Sequence, residues 1–225
     1  MDNWNGIASL FIACIELVLL INLLVFVKKD KFNTLSMLLI FILMIYQTLE
    51  FLMCQLGLTE PIMPFFAFAD ISLLPPLNLF IVLVLLEYKN KLYKLVFLPA
   101  LGFIIYYLFV IDNFTVTSCS VFYASYHYPL GELFGFFYYI PILFSMYLLF
   151  KAVANSPNDE IKYKSKVLLI GNIIISLPVV IGFILMFTGN YLIISKIESI
   201  MCKFAFIYAI CLALVILYNP EKTHE

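Results

Sequence analysis

Seven apolar stretches, each about as long as a helix needs to be to cross a bilayer, take up most of the chain. They run over about 6–27, 34–57, 63–87, 92–111, 131–154, 167–188 and 197–218. A helix rising about 1.5 Å per residue needs roughly 20 apolar residues to span a hydrocarbon layer about 30 Å thick. With 64% hydrophobic and 12% charged residues and a mean hydropathy of +1.07, the chain carries more apolar surface than a soluble core absorbs. The expected fold is all-α, a polytopic membrane protein whose residues 1–225 form a single seven-transmembrane-helix bundle.

All thirteen basic residues are lysine, and eleven of them fall in alternate gaps between the stretches: Lys28, Lys29 and Lys31; Lys89, Lys91 and Lys94; Lys151, Lys162, Lys164 and Lys166; and Lys222. Cytoplasmic loops are the ones enriched in lysine and arginine, so these four gaps are expected inside, with the N-terminus outside and the C-terminus cytoplasmic. The remaining gaps, including the stretch from Asp112 to Leu130, hold only Lys196. The thirteenth lysine, Lys203, lies inside a stretch.

Several function classes lose support at once. Met1 to Gly6 has no basic residue and the apolar run that follows is too long for a signal core, so the first helix is expected to stay as an anchor. The five cysteines show no CxxC pair and mostly lie within helices, which indicates neither a disulfide framework nor a zinc site. A Cys54–Cys119 bridge on the outer side remains open. His127 and His224 are the only histidines, too few for a multi-histidine haem carrier or a histidine-zinc hydrolase. There is no GxSxG elbow, Walker loop or paired-aspartate motif, and the segments from Asn155 to Lys166 and after Tyr218 are too short for a folded domain. No enzyme activity, catalytic residue, metal, cofactor or nucleic-acid partner is expected.

What remains are ionisable groups inside the stretches, each costly in hydrocarbon unless paired or hydrated. They are Glu16, Glu50, Asp70 and Lys203. Counted from the outer helix ends, Glu50, Asp70 and Lys203 all lie roughly 10 Å deep, while Glu16 is near the midplane. Charges of both signs at one depth on helices 2, 3 and 7 are expected to meet in an outward-facing ligand-binding pocket. Gln47 sits one turn below Glu50 on the same face, and Ser195, Ser199 and Lys203 follow at i, i+4 and i+8, so two helices contribute polar stripes. A structural ion pair joining three helices is the competing reading.

Pro75 and Pro76 interrupt helix 3 below Asp70, freeing the carbonyls of Ile71 and Ser72 and predicting a kink. Asn78 and Asn172 are expected to bond across helices. Tyr106, Tyr107, Tyr138, Tyr139 and Tyr218 are expected in the interfacial aromatic belts, and the dense run Phe122 to Pro129 as a lid over the outer pocket.

Taken together, these residues resemble the seven-helix N-terminal sensor region of bacterial and archaeal histidine kinases. The resemblance covers nearly the whole chain. It rests on Leu38 to Cys54 with Leu49-Glu50, on Leu74-Pro75-Pro76-Leu77 followed by Phe80 and Glu87-Tyr88, on Pro99, and on Lys151 to Lys166 leading into Leu168-Leu169-Ile170-Gly171 and Pro178. Helix 2 departs from the pattern at Tyr46 and Gln47, where relatives often place tryptophan, and no PAS, dimerisation or kinase domain follows Tyr218. The resemblance implies a stand-alone sensor or receptor-like module in a prokaryotic cell membrane. Its partners would be the lipid bilayer, a small-molecule ligand and a cytoplasmic or membrane signalling protein.

Two alternatives stand beside it. Ala69-Asp70, Pro76-Leu77, Pro178-Val179-Val180 and the helix-7 lysine are similar to microbial rhodopsins, which implies Lys203 as a retinal Schiff-base residue and Asp70 as its counterion. Against this, Ser199 stands four before the lysine, Ala67 takes the usual arginine site and Trp4 is the only tryptophan. A small-solute, ion or proton transporter would use the same pocket charges as carriers.

Overall fold

The computed structural model describes residues 4–88, 95–187 and 194–218, with 182–187 and 194–198 as backbone only. Among the described residues it is a helical bundle of seven helices: α1 (Ile7–Phe26), α2 (Lys31–Gln55), α3 (Ile62–Leu85), α4 (Leu98–Phe109), α5 (Gly131–Asn155), α6 (Asp159–Phe187) and α7 (Ile194–Leu217). Six of them, all but α4, are long and apolar enough to cross a membrane. The expected seventh span over 92–111 is shorter than its sequence implies. α4 holds 12 residues, about 18 Å of helix. A short 3-10 turn over 95–97 precedes it with Pro99 in its first turn, and another over Ile111–Asn113 follows it.

The helix ends follow local capping chemistry. Asp30 starts α2 by accepting from Asn33 N–H at 2.8 Å, three residues before the apolar run begins. Asn158 starts α6 by accepting from the N–H groups of Glu160 and Ile161, at 2.9 and 3.3 Å. Much of the segment expected as a linker between helices 5 and 6 is thus the first two turns of α6, carrying Lys162, Lys164 and Lys166 on helix. Lys89, Lys91, Lys94, Lys222 and His224 lie outside the described residues.

Six helices close a ring. α1 packs on α2, α2 on α3, α3 on α5, α5 on α6 and α6 on α7, and α7 returns to α2 and α1. α4 stays outside this ring, leaning on α3 and α5. α3 is the most enclosed helix; it continues through Pro75 and Pro76, both buried. On the outward faces, large apolar side chains such as Phe11, Phe26, Phe136 and Phe150 are exposed, the pattern of a bundle whose surroundings are hydrocarbon.

The stretch from Asp112 to Leu130, expected as a loop, contains an antiparallel hairpin, β1 (Thr115–Cys119) and β2 (Ala124–His127). Its position is fixed on three sides. A disulfide joins Cys119 to Cys54 at the end of α2, Gly6 N–H donates to Ser120 O at 2.9 Å, and β2 packs on α7. The bridge that the sequence left open is formed, while Cys14, Cys202 and Cys211 keep their thiols. Gly6 has a positive φ of 75° and so little room that a Cβ there would meet Cys54 Cβ at 3.1 Å, which keeps the start of α1 close to the bridge.

Tyr107 packs inside the protein. It is fully buried, donates to Pro129 O at 2.7 Å, and lies with Phe114, Tyr128 and Phe134 around Phe68 of α3. Ring centroids 4.3–5.5 Å from Phe68 bring α4, α5 and the segments flanking the hairpin onto one aromatic hub.

Candidate functional site

Where α7 closes the ring against α1 and α2, at the lysine-poor end, a charged cluster is sealed inside. Lys203 Nζ lies 3.0 Å from Glu50 Oε1, with the lysine side chain 13% exposed and the glutamate 0%. The ammonium also donates to Ser9 Oγ at 2.8 Å and to Gln47 Oε1 at 2.6 Å. An ammonium has three N–H donors, and here three acceptors from α1 and α2 meet them.

Each member of the cage is held in turn by a neighbour. Gln47 Nε2 donates to Cys202 O of α7 at 2.9 Å, which fixes the amide with its oxygen toward the ammonium. Glu50 Oε1 also accepts from Ser9 Oγ at 3.2 Å, and its Oε2 accepts from Ser199 Oγ at 3.1 Å. Ser199 in turn accepts from Ala124 N–H of β2 at 3.1 Å. The hairpin is therefore bonded to the hydroxyl that holds the carboxylate. Of the run expected as a lid, Ala124, Ser125 and Tyr126 are buried beneath the hairpin's outer surface, whereas Phe122 and His127 are exposed.

Of the expected site residues, Glu50, Lys203, Gln47 and Ser199 come together and Asp70 does not. Among the described residues no ion pair joins Asp70 to Lys203, and Asp70 Oδ2 is buried without a hydrogen-bond partner. Successive helical residues are turned by about 100°: Lys203 faces α1 and α2, so its neighbour Cys202 faces the bundle interior instead. Ser195 falls outside the described side chains. The residue that sequence reasoning missed is Ser9. Its signal was present, since Ser9, Ala13 and Glu16 recur at helical spacing as the buried stripe of α1.

A second polar cluster lies deeper. Asn78 Nδ2 of α3 donates to Asn172 Oδ1 of α6 at 2.7 Å, Tyr208 OH of α7 donates to Asn78 Oδ1, and Asn172 Nδ2 donates to Leu168 O at 2.9 Å. Between the two clusters is a mainly apolar cavity of about 40 Å³, bordered by Leu43, Pro75, Tyr138, Cys202 and Tyr208 among others. Lys203 is not among its lining residues.

No protein-family model, no curated protein and no solved structure matches the chain.

Proposed function

We propose that the chain is a membrane-embedded sensor, a seven-helix module with its N-terminus outside. It would receive a small-molecule or membrane-state signal at the outer face and pass it to a cytoplasmic or membrane partner without catalysis of its own. The observation that carries this reading is the chain of contacts from Ala124 through Ser199 to Glu50 and Lys203. A hairpin held by the same hydroxyl that holds a buried ion pair cannot move without disturbing that pair, and the pair together with Ser9 joins the first, second and last helices of the ring.

The orientation has two independent supports. Lysine enrichment assigns one end to the cytoplasm, and the Cys54–Cys119 bridge, at the other end, belongs to an oxidising compartment.

The rhodopsin-like reading requires Lys203 to face a chromophore pocket. Its ammonium instead faces α1 and α2, away from a cavity that holds about 40 Å³. A transporter is the second reading, favoured by the buried oxygens of Glu16 and Asp70 that have no hydrogen-bond partner among the described residues.

One experiment separates the two. Protein in nanodiscs is tested by thermal shift against a metabolite library, and any hit is tested for uptake into proteoliposomes. A hit that stabilises the protein, is lost in Glu50→Gln and shows no uptake supports a sensor. Uptake of the hit, lost in Glu50→Gln, overturns it in favour of transport.

A further inference from the structure

Glu16 is fully buried, and neither of its carboxylate oxygens has a hydrogen-bond partner among the described residues. It shares the buried face of α1 with Ser9, two turns and about 10 Å deeper. Helical side chains lean toward the N-terminal end of their helix, which for Glu16 is the direction of the cage. The ammonium of Lys203 already bonds Ser9, on this same face of α1, at 2.8 Å. On its flexible four-carbon stem, this ammonium sits with Glu50, the outer of two buried carboxylates, while the inner one, Glu16, has no donor among the described residues.

The outer position is built for its occupant. Glu50 Oε1, Ser9 Oγ and Gln47 Oε1 offer one acceptor to each N–H of a primary ammonium, at 3.0, 2.8 and 2.6 Å. We propose that this cage is a primary-ammonium binding site, filled at rest by the protein's own Lys203, and that an incoming primary amine displaces Lys203 onto Glu16. This names the ligand class for the sensor reading above and rests on it. Displacement leaves no ammonium stranded in hydrocarbon, because the inner carboxylate lacks a donor until the lysine arrives. It also carries the lysine stem inward along α7, so occupancy of the outer cage becomes a movement deeper in the membrane.

The test has two arms, both on full-length protein in nanodiscs. In the first, Glu16→Gln is compared in the wild-type and Glu50→Gln backgrounds by thermal unfolding. With its outer partner gone, Lys203 moves to Glu16, so Glu16→Gln should leave the wild-type Tm unchanged or raised and lower that of Glu50→Gln by about 4 °C or more. Equal shifts in both backgrounds overturn the exchange.

The second arm needs no Glu50 variant: n-butylammonium should raise the wild-type Tm, and its apparent affinity should fall at least tenfold in Glu16→Gln. Tetramethylammonium, with the same charge and no N–H, should do neither. Equal effects of the two cations, or no effect of butylammonium, overturn the ammonium site. A protein that passes both arms yet engages no partner keeps the site and loses the sensor reading. One that fails both but answers another ligand keeps the sensor reading alone.

Discussion

The ammonium of Lys203 and the carboxylate of Glu50 form an ion pair 3.0 Å long in which the carboxylate is wholly buried. Such a pair is costly to assemble and costlier to break, because removing one partner leaves the other charge uncompensated. Lys203→Met should therefore destabilise the protein by about 3 kcal/mol, measured by thermal unfolding in nanodiscs. Adding Glu50→Gln should recover much of that loss, and a double-mutant cycle should show strong coupling. Strictly additive losses would show that the pair does not hold the helices.

Asp70 makes the complementary case. With Oδ2 buried and unpartnered, its carboxylate contributes no ion pair among the described residues that Asp70→Asn would break. That change should leave stability nearly unaltered or raise it, and its effect should add to that of Lys203→Met. Rescue of Lys203→Met by Asp70→Asn would instead place both residues in one site.

The Cys54–Cys119 bridge closes a loop between residues 65 apart, and it ties the hairpin over the cage. Cys119→Ser should cost about 2–4 kcal/mol. It should also raise hydrogen exchange at Ala124 N–H, which donates to Ser199 in the intact protein. Unchanged exchange there would mean that the contacts from Gly6 and α7 suffice to hold the hairpin.

Gly171 lets α6 approach α7 closely. A Cβ at this position would meet Tyr208 Cδ2 at 2.6 Å and Cys211 Cβ at 3.3 Å. Gly171→Ala must push Tyr208 away from Asn78, so it should destabilise by about 1–3 kcal/mol. Asn78→Leu, which removes the interhelical bonds without adding bulk at the contact, should cost about 1–2 kcal/mol. A larger loss for Asn78→Leu than for Gly171→Ala would reverse the assigned roles of packing and polar bonding.

Much of the fold was legible because a bilayer-spanning helix advertises itself by length and polarity. Helices α1, α2, α3, α5, α6 and α7 lie within a few residues of the apolar stretches, except that α6 begins eight residues early on the Asn158 cap. The short α4 was not legible, since apolar composition over 92–111 does not reveal where Pro99 starts a helix or where the turn at Ile111–Asn113 ends it. The hairpin was hidden for a similar reason: β1 and β2 are short, and their place is set by a disulfide and by α7 rather than by their own alternation.

For the site, sequence determined depth and face. The rise per residue put Glu50, Asp70 and Lys203 at one level, and the helical repeat put Gln47 beside Glu50 and Ser199 beside Lys203. It could not determine which faces meet, because that depends on the order in which the helices close the ring. Only the tertiary structure decided that α7 returns to α1 and α2. That return gives Lys203 to Glu50 with Ser9 and turns Cys202 to the interior, and among the described residues it leaves both oxygens of Glu16 and Oδ2 of Asp70 without a hydrogen-bond partner. The spacing along one helix is a property of that helix alone, while a neighbour across the ring is a property of all the helices packed together.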